Sequence, residues 1–178
     1  KVSSIEEVPI SDPENSLELG VFIHKLLENL SKVENSKRES IALNIANINF
    51  PYLKKDQVRT AIEEAISLMQ MEENKRFFTG SARFEVPIIG NLKGFGELSG
   101  KLDCLLINRD KIEIVDFKTD RSPPKIDKEV KPNYIMQIAA YAGIIQGIFP
   151  KHSVFAYLLW TKSKILMPIS KDLQKEFL

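Results

Sequence analysis

The hydrophobic period of this chain changes near residue 80, and that change constrains the fold more than any other feature. Before it, apolar residues recur at helical spacing, as in the stripe formed by Ile23, Leu26, Leu27 and Leu30. After it, apolar and polar residues alternate in short runs typical of strands. The predicted helices begin at Leu17 and then cover 39–48, 56–71 and 134–148; the predicted strands cover 82–88, 98–107, 111–119, 153–160 and 165–169. Helices flanking a small mixed sheet predict an α/β or α+β fold.

Length and composition indicate an ordinary globular chain. Its 178 residues correspond to about one domain, and 43% hydrophobic with 28% charged residues is normal usage. Residues 1–16 are polar and contain two prolines, so we expect a linker there and the domain over 17–178. The chain does not begin with Met, and we expect it to be a piece of a longer protein.

Charge, cysteine content and hydropathy exclude several function classes. A net charge of +1 gives no global field to attract nucleic acid, so such a partner would have to meet a local basic patch. The single cysteine, Cys104, excludes an internal disulfide and a thiolate zinc or iron–sulfur site. No apolar run reaches the ~20 residues that cross a bilayer. We therefore expect a domain of a reducing compartment with no membrane partner.

Two acidic residues and a lysine are the informative polar groups. Along the predicted strand 111–119, Asp116 and Lys118 share a face with two isoleucines, because side chains alternate along a strand. A three-residue turn over 108–110 predicts a hairpin that returns Asp103 beside this strand. Cys104 then points to the opposite face, where we expect a buried, inert thiol. Two carboxylates beside an ammonium suit a hard cation such as Mg²⁺ or Mn²⁺.

Phosphodiester hydrolysis is the chemistry that uses this set. A divalent cation polarises a phosphoryl oxygen and acidifies a bound water, and a lysine orients the nucleophile or balances charge. The alternative for Asp116 and Lys118 is a surface salt bridge, which is common and contributes little. The end of an apolar strand is an unusual place for such a pair.

Five motifs stand in one order along the chain: GVFIHKLLE (20–28), FEVP (84–87), GKLD (100–103), IVDFKTD (114–120) and Y-x-x-Q-x-x-x-Y (134–141). Together they resemble the RecB-type branch of the PD-(D/E)XK nuclease superfamily. The tail over 148–161 is most similar to the C-terminal nuclease domain of AddA-type helicase–nucleases. The resemblance covers about 17–169, nearly the whole chain.

The resemblance implies a role for each matching residue. His24, Asp103, Asp116 and the carbonyl of Phe117 are similar to the family's metal ligands, and Lys118 takes the position of the catalytic lysine. The remaining matches are Gln137 and Tyr141, whose helix face looks toward the active site and the DNA backbone, and Glu85, at the acidic strand position. The alternatives stay open: His24 as a structural histidine, and Gln137 and Tyr141 as residues that pack the helix on the sheet.

Four basic residues follow the catalytic strand in a proline-containing loop: Arg121, Lys125, Lys128 and Lys131. They form either a rim that contacts DNA phosphates or a solvated loop, since acidic residues lie between them.

The resemblance also implies cofactor, partners and setting. It implies Mg²⁺, with Mn²⁺ as a substitute and Ca²⁺ as an ion that binds without turnover. It further implies an exonuclease for single-stranded DNA ends in bacterial cytoplasmic double-strand-break repair, working beside an AddB-like second subunit. Two rivals are a stand-alone restriction or defence endonuclease and a non-catalytic module that binds DNA or a partner. The presence of Asp103, Asp116 and Lys118 favours the enzyme over the non-catalytic module.

Overall fold

The computed structural model describes residues 3–4, 15–120 and 122–178, with side chains from residue 17 onward. These residues form two compact units, although length favours one domain. One unit is Pro9–Gly80; the other combines Lys1–Val8 with Ser81–Leu178. Of the predicted linker over 1–16, most lies outside the described residues, but Ser3–Ser4 form a short strand and a helix already begins at Asn15.

The first unit consists of helices α1 (Asn15–Leu30), α2 (Asn35–Asn49) and α3 (Lys55–Gln70), followed by a 3-10 turn, Lys75–Phe78. Helices α1 and α3 pack together. The stripe predicted for α1 is buried, and it forms the centre of this unit. Apolar residues at helical spacing therefore predicted these helices from the sequence. The signal is strong because burial of an apolar stripe stabilises a helix more than intrinsic helix propensity does.

The second unit is a six-stranded mixed sheet with two helices. Its strands are β1 (Ser3–Ser4), β2 (Ala82–Leu92), β3 (Gly96–Ile107), β4 (Lys111–Lys118), β5 (Ser153–Trp160) and β6 (Ile165–Ile169), and its helices are α4 (Pro132–Ile148) and α5 (Lys171–Glu176). The α/β fold class predicted from the sequence is confirmed. Strand β1 and helix α5 are too short to produce a periodic signal, and the sequence did not predict them.

The long strand β3 organises the sheet. It pairs antiparallel with β2 along its length, parallel with β1 near its start, and antiparallel with β4 near its end. The predicted hairpin turn is confirmed, because the Asn108 N–H donates to the Lys111 carbonyl at 2.9 Å. Strand β4 then runs parallel to β5, and α4 supplies the crossover that parallel neighbours require.

The core of this unit lies between the sheet and α4. Helix α4 packs on β2 and β5, and almost all of its inner face is buried. Strand β4 sits between two other strands and is buried from Ile112 onward. A polar group at the end of β4 must therefore find its partners inside the protein.

Candidate active site

Asp116 and Lys118 form a buried ion pair at the end of β4. The Lys118 Nζ lies 2.7 Å from Asp116 Oδ2, and the side chains are 5% and 2% exposed, respectively. The surface salt-bridge alternative is therefore wrong for this pair. Burying two charges costs several kcal/mol of desolvation per ion, so such a pair is a poor device for stability alone. Buried charged groups that carry such a desolvation cost are typical of functional sites.

Asp103 lies across from this pair, where the β3–β4 ladder ends. The ladder ends with Cys104 paired opposite Val115. One step further along the same antiparallel register, Asp103 lies opposite Asp116. Asp103 is 6% exposed, and its Oδ2 accepts a 2.6 Å hydrogen bond from the Phe117 N–H. The side chain thus binds a backbone N–H just beyond the end of the ladder. Two carboxylates are held at the point where β3 and β4 part.

Glu85 brings a third carboxylate to Asp103 from β2. The β2–β3 register places Phe84 opposite Cys104 and Val86 opposite Leu102, and Glu85 falls between them. Its φ of +52° is left-handed, a conformation that costs a non-glycine residue about 1–2 kcal/mol. A Glu85 carboxylate oxygen lies within 4.8 Å of one from Asp103. Glu85 also forms an ion pair with the half-exposed Lys101.

Helix α4 places two polar side chains against these strands. Gln137 is buried, and its Oε1 accepts a 3.0 Å hydrogen bond from Lys118 Nζ. Tyr141, one turn further along, accepts a 3.4 Å hydrogen bond from the Lys101 backbone N–H. Burial raises the pKa of Tyr141, so its hydroxyl stays neutral. A Cβ at Gly100 would lie 2.5 Å from the Tyr141 hydroxyl, so this close approach requires glycine.

The chain as a whole matches a known protein family. A model of the PD-(D/E)XK nuclease superfamily matches residues 2–163. The chain belongs to this superfamily. Membership indicates a nuclease that hydrolyses nucleic acid with a divalent metal ion.

Other comparisons are weaker than the superfamily match. A search of the curated proteins finds no match. Among solved structures, the one titled "Crystal structure of SSO0001" is 15% identical, covers 93% of this chain and 83% of its own, and has a TM-score of 0.35. None of the described helices has both the length and the apolar character needed to cross a bilayer.

The carboxylates near the end of β4 fit a hard cation. Oxygen ligands suit Mg²⁺ and Mn²⁺. Glu85 and Asp103 bring carboxylate oxygens within 4.8 Å of each other, and Asp116 lies opposite Asp103 in the register of β3 and β4. The Phe117 N–H is bound to Asp103, and the Phe117 ring lies 6.3 Å from that of Phe84. The expected role of the Phe117 carbonyl as a ligand remains a prediction.

His24 is a separate case. It lies on α1 in the helical unit and is half-buried. Its expected role as a metal ligand stays a prediction from the sequence.

Cys104 is buried as predicted. Burial raises the pKa of its thiol far above the ordinary value, with smaller contributions from the nearby charges of Asp103 and Glu113. A thiol with a raised pKa is a poor nucleophile, so Cys104 packs as a small apolar residue.

The basic loop is partly paired. Lys131 Nζ donates to Asp120 Oδ1 at 2.9 Å, which neutralises part of its charge. Lys125 and Lys128 are exposed, and the fourth predicted DNA contact, Arg121, lies outside the described residues. Two lysines of the loop are therefore open to solvent.

The sequence motifs contain Tyr134 and Asp120, but neither residue was assigned a role from the sequence. The Lys118 Nζ lies 4.0 Å from the centroid of the Tyr134 ring, and the Tyr134 hydroxyl donates to Asp120 Oδ2 at 2.9 Å. The spacing offered a signal, because Tyr134 precedes Gln137 by three residues and so shares its helix face.

Proposed function

We propose that this chain cleaves DNA phosphodiester bonds with Mg²⁺ at the end of β4. The observation that carries the proposal is the buried Asp116–Lys118 pair in register with Asp103. Burial makes each charge costly, and a cation bound by the carboxylates offsets that cost. The superfamily match supports nucleic acid as the substrate class.

Each residue would have a separate task. Asp103, Asp116 and the Phe117 carbonyl would hold the metal, and Glu85 would bind it directly or orient its waters. A bound Mg²⁺ supplies charge to stabilise the phosphoryl oxygens and a more acidic water. Lys118 would orient the attacking water, with Gln137 fixing the ammonium through the 3.0 Å hydrogen bond. Tyr141 would fix the β3 backbone at Lys101.

Substrate binding would run through the phosphate backbone. Lys125 and Lys128 are exposed, and sequence-independent binding needs only a few such contacts. We propose single-stranded DNA ends as the substrate, with Arg121 and Lys131 as further contacts. Lys131 already pairs with Asp120, so only part of its charge would be available to a phosphate.

The setting of the chain is proposed from the motif resemblance alone. The tail over 148–161 is similar to AddA-type nuclease domains. We propose an exonuclease domain of a bacterial cytoplasmic helicase–nuclease that acts in double-strand-break repair beside an AddB-like subunit. Mn²⁺ would replace Mg²⁺, and Ca²⁺ would bind without turnover.

Cleavage of linear and circular single-stranded DNA by the purified chain in Mg²⁺ tests the activity. We expect shortening of the linear substrate, no cleavage in EDTA, and loss of activity in Lys118→Ala. Lys151→Ala is the matched control, because Lys151 is exposed in the turn before β5, whose first residue pairs with the start of β4 and not with its end. Equal activity of wild type and Lys118→Ala would refute the mechanism, and cleavage of circles would identify an endonuclease instead.

A further inference from the structure

The Lys118 ammonium is surrounded by three different kinds of group. It lies 2.7 Å from Asp116 Oδ2, 3.0 Å from Gln137 Oε1 and 4.0 Å from the centroid of the Tyr134 ring. An aromatic ring face attracts a cation through its quadrupole, most strongly where water is excluded. Lys118 is 5% exposed and Tyr134 is 7% exposed, so this contact is shielded from solvent.

The Tyr134 ring is itself held at its far end. Its hydroxyl donates to Asp120 Oδ2 at 2.9 Å, and Lys131 Nζ donates to Asp120 Oδ1 at 2.9 Å. Asp120 follows Lys118 by two residues. The segment directly after β4 therefore holds the Tyr134 ring that contacts Lys118. Lys131 also lies 5.3 Å from the same ring centroid.

We propose that Tyr134 is a positioning residue that holds the Lys118 ammonium for the reaction, with Asp120 fixing the ring. This inference rests on the proposed function and adds a residue to it. A ring face attracts the ammonium without being a conventional hydrogen-bond acceptor. The Lys118 N–H groups therefore stay available for Gln137, Asp116 and the attacking water.

Tyr134, near the start of α4, also packs in the hydrophobic core, and that role must be separated from the contact with the ammonium. Fluorine withdraws electron density from a ring face while changing its size little. A series of phenylalanine, difluoro- and trifluorophenylalanine at position 134 therefore weakens the attraction for a cation in steps and keeps the packing.

We expect the Tyr134→Phe enzyme to retain at least a third of the wild-type kcat, because it loses only the hydroxyl. The trifluoro ring should lower kcat about tenfold below Phe, with KM for DNA within about twofold. The same series at Phe155, which is exposed on β5, is the matched control and should leave kcat unchanged. A kcat that stays level across the series at position 134 would overturn the proposal.

A measurement without turnover separates this inference from the proposed function. In NMR spectra, the ring current of Tyr134 should shift the Lys118 ε-methylene protons upfield, and Tyr134→Leu should abolish that shift. A wild-type enzyme that lacks metal-dependent cleavage yet shows the shift would count against the proposed function. Metal-dependent cleavage without the upfield shift would overturn the role of Tyr134.

Discussion

Replacing Gly100 with alanine should disturb the site through Tyr141. The added Cβ would lie 2.5 Å from the Tyr141 hydroxyl and 2.8 Å from its Cε1, where ordinary contact begins at 3.4 Å. Tyr141 would have to retreat by about 0.9 Å, but its side chain is 2% exposed in a packed core. Overpacking of this kind costs about 1–3 kcal/mol. We expect a Tm about 2–12 °C lower and a weaker Lys101–Tyr141 hydrogen bond.

Gly147→Ala is the matched control for this experiment. Gly147 lies on the exposed face of α4, and a Cβ there meets nothing within 4 Å. Alanine should therefore raise stability by about 0.5–1 kcal/mol, as expected for a better helix former. Adding Tyr141→Phe to Gly100→Ala should recover part of the loss, because it removes the nearest atom. Thermal and urea denaturation measure each effect, and wild-type stability in Gly100→Ala would refute the packing argument.

Three further predictions concern the carboxylates and the thiol. Asp116→Ala should lose Mn²⁺ binding in calorimetry, whereas Lys118→Ala should retain it, because the ammonium is not a ligand. Mn²⁺ binding that survives in Asp116→Ala and is lost in Lys118→Ala would exclude a metal on Asp116. Glu85→Gly should be about 1 kcal/mol more stable than Glu85→Ala, because both lose the carboxylate but only alanine keeps the left-handed strain. Equal stability in urea would contradict that strain. Cys104 should react with a thiol reagent only after denaturation, and rapid labelling of native protein would contradict its burial.

The sequence predicted the elements whose signals are local. Strand alternation put Asp116 and Lys118 on one face, and the short turn over 108–110 fixed the hairpin that brings Asp103 beside them. These features follow from the two-residue period of a strand and the length of a turn. The structure confirms the predicted helix and strand order, with boundaries that shift by a few residues.

Contacts between distant parts of the chain could not be predicted in the same way. The left-handed backbone at Glu85 has no marker in its residue type, because glutamate is not a residue that favours positive φ. The contact of Tyr134 with Lys118 depends on how α4 lies on the sheet, which periodicity does not specify. Strand β1 is two residues long, and its pairing with β3 comes from tertiary contact alone.

The continuity of the stretch from β3 through β4 to α4 has a consequence for folding. Asp103, Asp116, Lys118, Gln137 and Tyr141 all lie within a stretch of about forty residues, so closing the loops between them costs little entropy. Such a stretch tends to open and close as one cooperative unit. Amide hydrogens at Phe117 and along α4 should therefore exchange with solvent at a common rate. Partial unfolding would then displace these five side chains together rather than one by one.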